Sequence, residues 1–147
     1  MEKYYTQIKV ILSVFGDAFD PFSFSEYIKI TPTDLWNKGD EIPQRNGLIR
    51  KNNIVPLRKE STWEYSTEFV KTVFLNEVSE IIINKFSSKI PEISKYVQKK
   101  GLDVKIDIVV EIADNQAPAL TFGRNFIEFA NQLEAEIEID LYLISNH

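Results

Sequence analysis

Residues 102–113, LDVKIDIVVEIA, alternate in character: Val104, Ile106, Ile108, Val110 and Ile112 fall on one side of an extended chain, and the positions between them are mostly polar. Successive side chains of a strand point to opposite faces, so this pattern predicts a strand with one buried and one largely wet face. Residues 7–15, QIKVILSVF, place Ile8, Val10, Leu12 and Val14 on one face and Ile11 and Phe15 on the other, which predicts a central strand partly covered on both sides. Residues 136–144, EIEIDLYLI, form a last strand, with Ile137, Ile139, Leu141 and Leu143 expected toward the core.

Helical spacing recurs between these strands. In DPFSFSEYIKI, residues 20–30, Asp20 or Ser23 is a candidate N-cap, Pro21 suits the first turn, and Phe24, Tyr27 and Ile28 are expected inward. Residues 66–90 read as a long helix capped by Ser66 or Thr67, with Val70, Val73, Phe74, Val78, Ile81 and Ile82 as its apolar stripe. Pro91 then opens a second helix that Gly101 closes. PALTF, residues 118–122, reads as a short strand, and the following helix is expected to bury Phe126, Ile127, Ala130 and Leu133. The Gly-, Pro- and Asn-rich stretch from Thr31 to Tyr65 suggests short strands around NKGDE and QRNGL, the latter with an Asn-Gly hairpin turn.

Long alternating strands with one polar face predict an α+β fold: an antiparallel or mixed sheet in a single domain over residues 1–147, with helices packed mainly on one face. An internal echo raises the alternative of two diverged strand–helix halves. SVFGDAFDPFSFSEYI and VEIADNQAPALTFGRNFI both run from a strand through Asp to a proline four residues later, then Ser/Thr-Phe and a helix, offset by about 97 residues. Chance reuse of turn residues explains the same pattern.

The succession FGDAFDP, ITPT, WNKGD, the isolated Trp63 and AEIEIDLYL resembles a family of small bacterial domains of unknown function, over nearly the whole chain. Trp36, Lys38, Gly39, Asp40, Trp63 and Asp140 fall on the motif positions, whereas residues 41–62 match loosely. The resemblance implies a compact α+β domain and brings no activity, cofactor or catalytic residue.

Composition narrows function by exclusion. There is no cysteine and the single histidine is His147, so thiolate nucleophiles, His-based triads and Cys- or His-rich zinc sites have no members. The five glycines are never closer than eight residues apart, which rules out a clustered phosphate-binding loop. No catalytic residue, metal ligand set or cofactor is therefore assigned. No leader or membrane-spanning stretch is read, and the cytoplasm is the expected compartment. With a net charge of −5, general nucleic-acid binding is disfavoured.

Charge is nevertheless segregated. Residues 42–59 carry Arg45, Arg50, Lys51, Arg58 and Lys59 without an acid, and the chain after Gly101 is acidic apart from Lys105 and Arg124. No aromatic interleaves the basic run, so an acidic protein partner or a homodimer fits it better than RNA. Trp36, Lys38 and Asp40 read either as a rim anchor of a binding surface or as a structural corner, the corner being favoured. The expected function is a non-catalytic protein that binds a macromolecule through Trp36, Lys38, Asp40, Arg45, Arg50, Lys51 and Trp63, with an immunity protein as one specific version. The alternative is a small-molecule binder or carboxylate enzyme using Asp17, Asp20 and Asp140 with Lys38 as anion anchor. Glu136, Glu138 and Asp140 share one face of the last strand, about 6.5 Å apart, and are expected to be a solvated face with partners such as Lys105 across the sheet.

Overall fold

The computed structural model describes residues 4–43 and 54–145. In chain order these form β1 (Gln7–Gly16), α1 (Pro21–Ile28), β2 (Asp34–Trp36), β3 (Ser61–Ser66), β4 (Val70–Lys71), α2 (Leu75–Phe86), a 3-10 turn (Ser87–Lys89), α3 (Ile90–Lys100), β5 (Asp103–Ile112), α4 (Arg124–Gln132) and β6 (Glu136–Leu143). One mixed sheet has the order β2-β3-β1-β5-β6, with β4 also against β1. All pairings are antiparallel except β5 with β6, which is parallel. This is the α+β fold expected from the alternating strands.

β1 holds the centre because its even-numbered residues are wholly apolar. Ile8, Val10, Leu12 and Val14 are fully buried and stand opposite Val110, Ile108, Ile106 and Val104 of β5. Burying each such side chain stabilises the fold by about 1.5–3 kcal/mol. The buried residues of all four helices join that same cluster, among them Phe24 of α1, Phe86 of α2, Ile93 of α3 and Phe129 of α4. The helix layer thus lies on one face, and the odd-numbered residues of β1 lie on the other.

Caps set the helix ends. Asp20 accepts the backbone N–H of Phe22 and the hydroxyl of Ser23, with Pro21 in the first turn of α1. Gly101 closes α3 at φ 63°, a left-handed conformation that costs a side chain with Cβ. Gly16 ends β1 against Leu102, whose Cδ2 a Cβ at this position would have to displace.

Several expectations from the sequence are corrected. The long helix starts only at Leu75, and the residues before it are extended: Ser66 ends β3 and Val70 pairs with Ile8. Between β3 and β4, Thr67 replaces regular pairing by donating its N–H to Val10 O and accepting the Val10 N–H on its hydroxyl, each at 3.0 Å. Residues 68–74, EFVKTVF, alternate as well as they spiral, and pairing with β1 decides for the strand. The inward set of α2 is Leu75, Val78, Ser79, Ile82, Ile83 and Phe86, and Ile81 is exposed. Tyr27 and Ile127 are also exposed, with Phe129 buried where Ile127 was expected. PALTF forms one bridge, Ala119 with Phe74, instead of a strand. The short strands expected around NKGDE are present as β2 just before it and as a bridge from Glu41 to Leu57 after its Lys38–Gly39 turn, and QRNGL lies outside the described residues.

The largest correction concerns β6. Ile137, Ile139, Leu141 and Leu143 are on the helix side of the sheet by register, opposite Ile106, Ile108, Val110 and Ile112, but all four are exposed. The helix layer ends above β5, and β6 projects beyond it as the sheet edge.

The two segments of the internal echo occupy comparable places. β5, α4 and β6 make a parallel strand–helix–strand unit, and β1, α1 and β2 make another whose strands also run in the same direction, with β3 inserted between them.

Candidate functional site

Register places the polar residues of the helix-free face in rows. Trp36, Thr62, Phe15 and Asp103 form one row; Asp34, Glu64, Ser13, Lys105 and Glu136 form the next; then come Ile11, Asp107 and Glu138, and after them Lys9, Val109 and Asp140. Paired strands lie about 4.8 Å apart, so register sets the members of each row side by side. Ser13, Phe15, Trp36, Glu60, Thr62, Glu64, Lys105 and Asp107 line a trough of about 310 Å³ in this face.

Lys105 lies at the centre of the charge pattern. Its ammonium group is 3.3 Å from Glu138 and 3.6 Å from Asp107, as expected for a cross-sheet partner of the acidic strand. One lysine does not neutralise its surroundings. Burial pushes the Asp107 carboxyl up to about 6; Lys105 pulls it down, while Glu138 and Asp140 push it further up. Burial likewise raises the pKa of Glu64, reinforced by Asp34 and Asp107 against the opposing pull of Arg58 and Lys9. Like charges packed on a partly dry surface favour the protonated form or a cationic visitor.

Carboxylate oxygens of Asp107, Glu138 and Asp140 lie within 4.8 Å of one another, a donor set that suits a hard divalent cation by type. The ammonium group of Lys105 already sits against two of the three, supplying the positive charge that an ion would bring. We assign no metal to them.

The stretch around Trp36 is both a corner and a rim. Gly39 takes φ 90°, Asp40 accepts the Asn37 N–H at 2.8 Å, and the Lys38 N–H donates to the Ser61 hydroxyl at 2.9 Å. The backbone of Gly39 and Asp40 then pairs with Arg58, whose guanidinium stacks 3.9 Å over the Trp36 ring. Trp36 is half-buried by this stacking and walls one end of the trough. Lys38 points away to an exposed ion pair with Asp17 at 3.3 Å.

Trp63 behaves differently. It is fully buried on the helix side, edge-on to Phe24 and Phe86. Arg45, Arg50 and Lys51 lie outside the described residues. Of the acids in the alternative reading, Asp17 pairs with Lys38, Asp20 caps α1, and Asp140 lies on β6. Glu64 and Asp107 are not singled out by the sequence: Asp107 is one of several polar positions of the strand over 102–113, and Glu64 lies in a stretch where no strand is placed. Their signal was the register itself, since β5 and β3 both flank β1 and bring their polar positions onto the same face.

The fold and face together define a class: an α+β domain with helices over one side of a mixed sheet and an acidic trough on the other. The chain belongs to the family described as Domain of unknown function (DUF4279), whose family model matches residues 6–144. No curated protein and no solved structure matches the chain. Among the described residues, no helix is long and apolar enough to cross a membrane.

Proposed function

We propose that this domain is a non-catalytic binding module whose helix-free sheet face receives a macromolecule presenting basic side chains. One observation carries the reading. Among the described residues, Asp34, Glu64, Asp103, Asp107, Glu111, Glu136, Glu138 and Asp140 on that face are opposed by Lys9, Lys71 and Lys105 and by Arg58, whose guanidinium stacks on Trp36. Such a surface attracts cations over a Debye length and speeds encounter with a basic partner. Trp36 and Phe15 give the trough an aromatic rim on which an arginine or lysine stem packs. From the stretch 36–63, Trp36, Glu60 and Thr62 line one wall, and Glu64 adjoins them. An immunity protein that covers a basic toxin is one member of this class.

The test uses a fluorescent hexalysine peptide and anisotropy at low ionic strength. The paired change E64Q/D107N is expected to weaken binding at least tenfold, whereas E77Q/E128Q, which removes two exposed acids from the helix layer, leaves it within about twofold. Equal weakening by both pairs contradicts the proposal, because the peptide would then be reading net charge alone.

A further inference from the structure

We propose that β6 is the interface of a symmetric dimer, in which two copies of this chain pair their β6 strands antiparallel across a two-fold axis at Leu141 and join their sheets into one. Among the described residues β6 ends the sheet, and one side of its backbone has no strand neighbour there. Ile144 donates its N–H inward to Ile112 O, and backbone groups alternate in direction along a strand. Ile139, Leu141 and Leu143 therefore aim their N–H and C=O groups outward, in position to make a new ladder. The same residues carry the exposed apolar row that the helix layer leaves uncovered. The other edge, β2, is only three residues long and is followed at once by the turn at Asn37–Asp40, which makes it a poor template for pairing.

Charge narrows the register and the apolar row chooses within it: axes at Tyr142 or Leu143 also keep carboxylates apart but leave fewer apolar residues opposed. With both helix layers on one side of the joined sheet, the two-fold must pass through a residue of β6, because opposed residues of an antiparallel pair point to the same face. An axis at Glu138 or Asp140 sets that carboxylate against its own copy. An axis at Ile139 sets Glu138 against Asp140. An axis at Leu141 sets Leu141 against itself, Ile139 against Leu143, and Asp140 against Tyr142, with no carboxylate opposite another. In that register all three outward-facing residues meet outward-facing residues, completing a hydrogen-bonded ladder with apolar pairs on the helix side. The chain is thus self-complementary along this edge. The acids flanking the axis oppose association at long range, so the dimer strengthens with salt as they are screened.

The chain has no cysteine, which makes cross-linking a clean measure of register. At Leu141 the two copies place their Cα atoms about 5.5 Å apart, within disulfide reach. At Ile137 they are about 26 Å apart along the strands. Under mild oxidation L141C is expected to form a covalent dimer rapidly and I137C slowly or not at all. Both positions are exposed, so both variants retain the fold. Sedimentation equilibrium of the unaltered chain is expected to show a dimer, and L141K, which sets two ammonium groups face to face, a monomer. A monomer at every concentration, including one that takes up an added foreign strand peptide at this edge, overturns the proposal. So does cross-linking of I137C as fast as L141C.

Discussion

The Asp107 carboxylate lies 3.6 Å from the ammonium group of Lys105, yet its pKa is raised to about 6. Burial outweighs the ion pair, and Glu138 and Asp140 add like charge. The ionised form is therefore less favourable in the fold than in the unfolded chain, where the carboxyl titrates near 3.8. This penalty is absent below about pH 4, grows as the pH rises to about 6, and is constant above it. D107N does not titrate. It is expected to be more stable than the parent at pH 7–8 by about 1–2 kcal/mol, after allowance for solvent screening, and the advantage should vanish near pH 3.5. Thermal melts of both proteins across this range check the sign; a D107N variant that is less stable at pH 8 contradicts it.

Thr67 controls the step from β3 to β4. Its hydroxyl accepts the N–H of Val10, a fully buried residue at the centre of the sheet. Replacing Thr67 by Val keeps the shape and orphans that N–H, so T67V is expected to cost about 1–3 kcal/mol, whereas T67S retains the acceptor and recovers most of the loss. Denaturant midpoints for the three proteins separate the hydrogen bond from packing.

Gly101 accepts a left-handed conformation that hands the chain from α3 into β5. A Cβ there meets no neighbour, so the cost of G101A is conformational alone, about 1 kcal/mol. G101N, which tolerates the same φ better, is expected to lose about half as much. Equal stability of parent and G101A by chemical denaturation would contradict the cap assignment.

How far the sequence led depends on what each pattern encodes. β1 and β5 were legible because one face of each is uniformly apolar, and period-two alternation has no helical equivalent. Their adjacency, which creates the acidic rows, was not, because register is a property of two strands and neither carries it alone. β6 shows the limit from the other side. Its alternation correctly announces a strand with two unlike faces, but whether a helix reaches over the apolar one depends on where α4 lies.

The start of α2 was misread for a related reason. Val70, Val73, Phe74 and Val78 fit helical spacing, and only the pairing of Val70 with Ile8, supported by Thr67, makes the first part extended. Trp36 and Trp63 are both candidate binding residues in the sequence. Strand parity separates them: Trp63 stands opposite Val14 on the buried face, and Trp36 stands opposite Thr62 on the open one. The candidate site was thus legible in part, through Trp36 and Lys105, while Glu64 and Asp107 emerged only from the folded arrangement.

Amide chemical-shift mapping with unlabelled hexalysine tests the central claim most directly. The account predicts shifts concentrated at Ser13, Phe15, Thr62, Glu64, Lys105 and Asp107, fading near 1 M salt, where the Debye length falls to about 3 Å. Shifts confined to the helix layer, or no shifts at low ionic strength, would contradict it.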